Sequence, residues 1–361
     1  MSDTSSYCIG YLGADWWGSD ARALATELRS QGHLLVERHY EDYFSTKWRS
    51  FPLRALRRLC RPLMAAEYNR AVCELLDIGA LDFLLAFKGM LLDESTLLKF
   101  RTLGKPCYCV YPDVSYRDHG DNIWKCLPHY DCVFTTKSYH LEDPELVKRV
   151  RCLQYVPHGF DPEVHRPVQL TARLDSYYGC DVSFVGVWSA KKEQILSAVI
   201  DALPNVDLRI WGPFWNRAQP SVQRCWQKRS AYGDELAAIC SCSRINLGLL
   251  SEAGQGTVEG DRTTARTWQI PACGGFLLHE DTAEMRAAFV VGEEAAVFSS
   301  NADLVSRISQ YLQDSKERER IRLAGHQRCR TSKYSYRTAA ERVLTFHRNR
   351  HPSLVSVLKC V

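Results

Sequence analysis

Short apolar runs recur along this chain, and each is separated from the next by a stretch with helical spacing. Residues 7–12 (YCIGYL) lead into Gly13-Ala14-Asp15-Trp16-Trp17-Gly18, then a helical pattern at 21–29 with Ser19 or Asp20 available as N-cap. Gly32 closes that helix, and HLLVERHY is the next strand candidate. The order returns with LDFLLAF, a short helix at 95–103, KPCYCVYPD, DCVFT at 131–135 and LQYVPHGFD. These runs lack the strict two-residue alternation of a sheet with one wet face. They predict a parallel sheet covered on both sides, over residues 1–160.

A polar stretch at 161–180, with Pro162 and Pro167, reads as a linker. A second series follows: CDVSFVGV, a helix at 191–203, VDLRIWG, a helix at 233–242, INLGLL, and a helix at 266–272 that stops at Gly274-Gly275. GFLLHE, AAVFS and helical patterns at 302–312, 317–325 and 335–348 complete it. The fold class is therefore α/β with two Rossmann-like layers. The first domain spans 1–160 and the second 175–330, and residues 331–361 form a C-terminal helical segment free to pack back on the first. Strand order is not readable.

A chain of 361 residues suits two domains. Its 46 basic and 42 acidic residues leave a net charge of +4, too balanced for a nucleic-acid wrapper, so nucleic acid is not an expected partner. There is no eighteen-residue apolar run and no basic-then-apolar start, which makes the cytoplasm the expected location. The 15 cysteines include no C-x-x-C pair and read as reduced core thiols, not as a metal site.

Residues 47–70 depart from the average. They hold seven basic residues and one acid, Glu67, with Leu53, Leu56, Leu59 and Leu63 at helical spacing. Two readings follow: a helix lying on an anionic membrane surface, peripheral at its inner face, or a surface helix with its leucines turned inward. Pro52 and Pro62 are expected to shorten it.

Three segments of the second half ask for an anion. Gly186 follows a strand, and Lys191 and Lys192 open the next helix, where backbone N–H groups and a mobile cation favour phosphate. In GDRTTARTWQIPACGG, Arg262 and Arg266 would share a face if the whole segment is helical; they could grip phosphates while Gln269 meets a sugar hydroxyl. Gly274 and Gly275 there allow a sharp turn or a close ligand approach. The loop after INLGLL offers Glu252, Glu259 and Asp261. In the first half Asp15, Asp113 with His119, and His158 follow strands and are candidates to orient or deprotonate a hydroxyl. Each of these side chains could equally be a solvated or capping group. No G-x-G-x-x-G, P-loop or G-x-S-x-G motif is present.

The stretch from INLGLL through RTWQIPACGGFLLHEDT to RERIRLAGHQR resembles the spore-maturation-protein-like branch of the GT-B glycosyltransferases, with a group 1 glycosyltransferase-like C-terminal domain. VPHGFDPEVHRP, DVSFVGV, LRIWGPFW and AYGDELAAICSCSRINL are similar to its other segments, and the likeness covers roughly residues 105–345. The resemblance implies two Rossmann-like domains facing each other across a cleft. It implies transfer from a nucleoside-diphosphate sugar, such as a UDP-sugar, to a hydroxyl acceptor. The expected acceptor is a glycan or lipid-linked glycan in bacterial polysaccharide or glycoconjugate synthesis, with a protein, a small metabolite or modified DNA as open alternatives. By the same resemblance Gly186 and Lys192 lie near the diphosphate, Arg262 and Arg266 contact phosphate or sugar, and Gln269 stands where the family usually has Glu. No cofactor or metal is implied beyond the donor. If the sugar is inverted, Asp15 or Asp113 is the preferred base; if it is retained, these carboxylates position the acceptor. The competing expectations are an epimerase or phosphorylase of the same fold, and a non-catalytic glycan- or nucleotide-binding protein.

Overall fold

The computed structural model describes residues 6–44, 51–257 and 259–351. The chain divides into two compact units. One comprises Met1–Pro157, Gly254–Thr257 and Tyr336–Val361; the other comprises His158–Ala253 and Val258–Ser335.

The first unit holds six parallel strands, β1 Cys8–Leu12, β2 Leu34–Arg38, β3 Phe83–Phe87, β4 Cys107–Tyr111, β5 Cys132–Thr135 and β6 Leu153–Tyr155, in the order β2-β1-β3-β4-β5-β6. Ile9 is paired with Leu35 on one side and Phe83 on the other. Every residue of β1, β3 and β4 is buried, because both sheet faces are covered. On one face Leu24 and Leu28 of the helix Asp20–Ser30, and Val343 and Leu344 of the helix Arg337–Arg350, pack on Ile9, Phe83 and Tyr108. The C-terminal helix is also pinned by polar contact, since Tyr108 Oη lies 2.9 Å from His347 Nδ1. On the other face Tyr68, Val72, Leu97 and Phe100 meet Leu84 and Cys109.

The second unit holds β7 Cys180–Val185, β8 Leu208–Trp211, β9 Ser243–Gly248, β10 Leu277–Glu280 and β11 Ala296–Phe298, in the order β11-β10-β9-β7-β8. Both sheets thus reverse direction of growth between their first and third strands, at β1/β3 and at β7/β9. Open parallel sheets bind ligands outside the strand carboxyl ends at such a reversal.

Two expectations change. The stretch 161–180 is not a bare linker: it lies within the second unit and contains the helix Ala172–Tyr178, N-capped by Thr171, whose side chain accepts from Leu174 N at 3.2 Å. Residues 47–50 of the basic segment lie outside the described residues; the rest falls in one helix, Phe51–Cys73, that continues through Pro62. The proline deprives one carbonyl of its partner, but on an exposed turn water replaces it. Nor do its leucines turn inward; Leu59 and Leu63 are 79% and 74% exposed. Ten cysteines are buried and the 14 described ones are free. Among the described residues no helix is long and apolar enough to cross a membrane.

Candidate functional site

In the second unit β7 ends at Val185, and Gly186 starts the turn into the helix Ala190–Ala202. Ser189 caps that helix through Lys192 N, and Glu252 Oε1 takes Lys191 N at 2.8 Å. The two lysines then part company. Lys191 Nζ is consumed by Glu280 Oε2 at 2.6 Å. Lys192 is buried, 5% exposed, and among the described residues its Nζ donates to Ser251 Oγ at 3.1 Å and Val187 O at 3.5 Å. Burial lowers its pKa, although the charges of Asp261 and Glu252 work the other way.

Arg266 sits on the helix Ala265–Ala272, with Nε donating to Val185 O at 3.2 Å and a second nitrogen to Gln269 Oε1. Gln269 is buried. Arg266 thus bonds to the last residue of β7 and Lys192 to Val187 just beyond it, and among the described residues the hydrogen-bond acceptors of both are neutral oxygens. Charges held this way keep their attraction for an anion. In the same unit a cavity of about 420 Å³ is lined by Lys191, Gln194, Glu280, Asp281, Phe298 and Ser300.

Other sequence candidates take different places. The helix begins at Ala265, so Arg262 lies in the preceding loop and shares no helix face with Arg266. It pairs with Glu259 at 2.7 Å and Glu284 at 3.8 Å. Gly186 has a packing reason of its own: a Cβ there would meet the Phe184 ring at 2.5 Å, and a Cβ on Gly212 would meet Gly186 O at 1.8 Å. Gly274 (φ +70) makes the turn that ends the helix, and its carbonyl accepts Arg322 at 2.7 Å. A Cβ on Gly275 would crowd Cys240 O at 2.8 Å. Both glycines thus serve the turn and close protein packing. His158 belongs to the second unit and is buried there.

In the first unit the matching crevice is acidic and already paired. Asp113 Oδ2 receives Lys88 Nζ at 2.7 Å and His119 Nε2 at 2.9 Å. Burial alone would raise the Asp113 pKa, but the His119 hydrogen bond and the Lys88 charge outweigh it and hold the carboxyl below its usual range. Lys88 is a residue that sequence reasoning missed. It follows β3 directly, and its positive φ of 69° heads a turn in which Gly89 and Leu91 also have positive φ. The one available signal was a polar residue breaking the LDFLLAF run. Asp15 stands apart from this trio in its bonding: it pairs with Arg22 at 2.8 Å. Asp15, Glu37 and His39 bring one ligand-type atom each within 4.8 Å of one another. Glu37 raises the His39 pKa to about 9 by a hydrogen bond, against burial and with help from Gly13 O. Of the loop after β9, the tip Gly254–Thr257 groups with the first unit, where Gln255 N donates to Asp118 Oδ1 at 3.2 Å and Gln255 O accepts Ser115 Oγ.

Residues 191–345 match the family described as Glycosyl transferase-like. No curated protein matches the sequence. Among solved structures, the chain is similar to sucrose-phosphate synthase from Thermosynechococcus elongatus, at 12% identity and a TM-score of 0.64, covering 96% of this chain and 99% of that one. It is similar to Anabaena HepE in complex with UDP-glucose, at 10% identity and a TM-score of 0.61, over 94% and 98% of the two chains. A UDP-N-acetylglucosamine 2-epimerase aligns at 11% identity with a TM-score of 0.55, over 97% and 98%. The chain has the GT-B fold, two parallel-sheet Rossmann-like domains, and its residues 191–345 carry the match to the glycosyl transferase-like family.

Proposed function

We propose that this protein is a glycosyltransferase of the spore-maturation-protein-like branch, moving a sugar from a nucleoside-diphosphate sugar to a hydroxyl acceptor in bacterial glycan or glycoconjugate synthesis. One observation carries the reading: Lys192 and Arg266 each bond to backbone at or just past the β7 carboxyl end, at Val187 O and Val185 O, and among the described residues their hydrogen-bond acceptors are all neutral. Such a pair stabilises the diphosphate as the glycosidic C–O bond breaks and negative charge gathers on the leaving oxygen. The cavity lined by Lys191 and Glu280, about 420 Å³, falls within the size range of small-ligand sites. UDP is the favoured carrier, since the similar Anabaena structure holds UDP-glucose.

In this reading the first unit handles the acceptor. Asp113, held ionised by Lys88 and His119, is a weak proton acceptor and acts as a positioning residue. With Nε2–H of His119 donating to Asp113, its Nδ1 keeps a lone pair that accepts the hydrogen bond of the incoming hydroxyl. His119 thus replaces Asp15 and Asp113 as the preferred group at the reacting oxygen. Because the two cations neutralise the leaving group, transfer proceeds without a metal and survives EDTA. The carrying experiment is calorimetric titration of UDP, GDP, dTDP, CDP and ADP, followed by the matching sugar nucleotides. Binding of one series that Arg266→Ala abolishes supports the donor site; no binding by any removes it.

The likeness to a UDP-N-acetylglucosamine 2-epimerase favours a second reading, sugar-nucleotide epimerisation. Turnover of the sugar nucleotide with no acceptor present would select it. A non-catalytic binder would bind nucleotide with no turnover under any condition.

A further inference from the structure

The helix Phe51–Cys73 has two dissimilar halves. Its C-terminal half is anchored in the first core by Tyr68, Asn69, Ala71 and Val72, which are 1, 5, 7 and 0% exposed. Its N-terminal half leaves Leu53, Leu56, Leu59 and Leu63 at 41, 46, 79 and 74%. The helical repeat explains the contrast. At about 100° per residue the four leucines fall in an arc of about 120°, whose centre lies about 140° from that of the anchored residues. A rigid helix that buries one arc must turn the other away from the core.

The charge is as lopsided as the apolar stripe. Residues 43–66 contain Lys47, Arg49, Arg54, Arg57, Arg58 and Arg61 and not one acidic side chain. Arg58 and Arg61 are exposed, on the side of the helix away from the leucines. A second copy packed leucine to leucine would bring two such basic segments together, and their repulsion disfavours it. An acidic lipid surface satisfies both features at once: leucines enter the acyl boundary, and long arginines reach headgroup phosphates.

We propose that the leucine-arginine half of this helix docks the protein on anionic membrane surfaces, a role independent of the reading of the sheet ends. The full chain is spun with vesicles of phosphatidylcholine alone and of equal parts phosphatidylcholine and phosphatidylglycerol, at low and high salt. Binding is expected only to the anionic vesicles and should fall as salt rises. Leu59→Glu/Leu63→Glu and, separately, Arg58→Glu/Arg61→Glu should each lower the bound fraction by about tenfold or more. Their unfolding temperatures should match the wild type, since all four side chains are exposed. Absence of sedimentation with anionic vesicles, or variants that bind like the wild type, would overturn the proposal. So would a salt-stable dimer that Leu59→Glu/Leu63→Glu disperses without any lipid binding, which would give the surface to a second copy.

Discussion

The two sheets share one winding order and end in opposite chemistry. Beside β1/β3 the polar groups are already matched to each other: Asp113 to Lys88 and His119, Asp15 to Arg22. Beside β7/β9 two cations, Lys192 and Arg266, are matched to a hydroxyl, main-chain carbonyls and an amide. A prepaired cluster is stable without a ligand and positions what comes to it. A cation whose hydrogen bonds go only to neutral groups keeps donor capacity for an arriving anion, even with carboxylates such as Asp261 and Glu252 nearby. In the proposed reading, the same fold separates an orienting crevice from an anion-seeking one.

The largest effect is expected where the orienting crevice meets the reacting hydroxyl. His119→Ala should lower the transfer rate by about 10²–10⁴-fold while leaving nucleotide affinity unchanged. Equal losses in both quantities would break the division of labour. Asp113→Asn should lower the rate less than His119→Ala and leave the donor KM alone. In the anion-seeking crevice, Lys192→Met keeps the buried stem and removes the charge. Loss of one charge-assisted hydrogen bond of about 1.5–3 kcal/mol should weaken UDP binding by about 10–150-fold by calorimetry. Lys191→Met should do far less, because Lys191 is already spent on Glu280.

Gly212→Ala tests whether the β7 and β8 ends are shaped by packing. Its Cβ would fall 1.8 Å from Gly186 O at a φ of +143°, so a stability loss of about 3 kcal/mol should appear in denaturant titration. The smallest effect concerns the first crevice alone. His39 has a raised pKa, so its contribution to stability is complete below its ordinary value of 6.5 and is lost as pH rises through about 9. A His39→Gln variant should flatten that alkaline slope in thermal melts from pH 6 to pH 10; an unchanged slope would assign it to another group.

The strands were legible because both sheets are covered on both faces, so LDFLLAF and CYCVY could not be anything but buried. Periodicity also located the helix Gly233–Cys242 to the residue. It failed at residues 47–70, where an amphipathic stripe says that a face is apolar but not which way the helix is turned. The turning was decided by Tyr68 and Val72, five and nine residues beyond Leu63. Nor did spacing settle Arg262 and Arg266: they would share a face only if the whole segment were helical, and the helix starts at Ala265.

The sequence alone determined two series of β/α units and the residue types able to meet an anion. These are local properties, fixed by periodicity and side-chain chemistry. Only the tertiary structure decided which charges are already used. It gave Lys191 to Glu280 and left Lys192 with neutral partners. It also put Lys88 against Asp113 across 25 residues of chain and turned four leucines outward. Pairing depends on where strands end and how helices are rotated, and no spacing within a single segment records that.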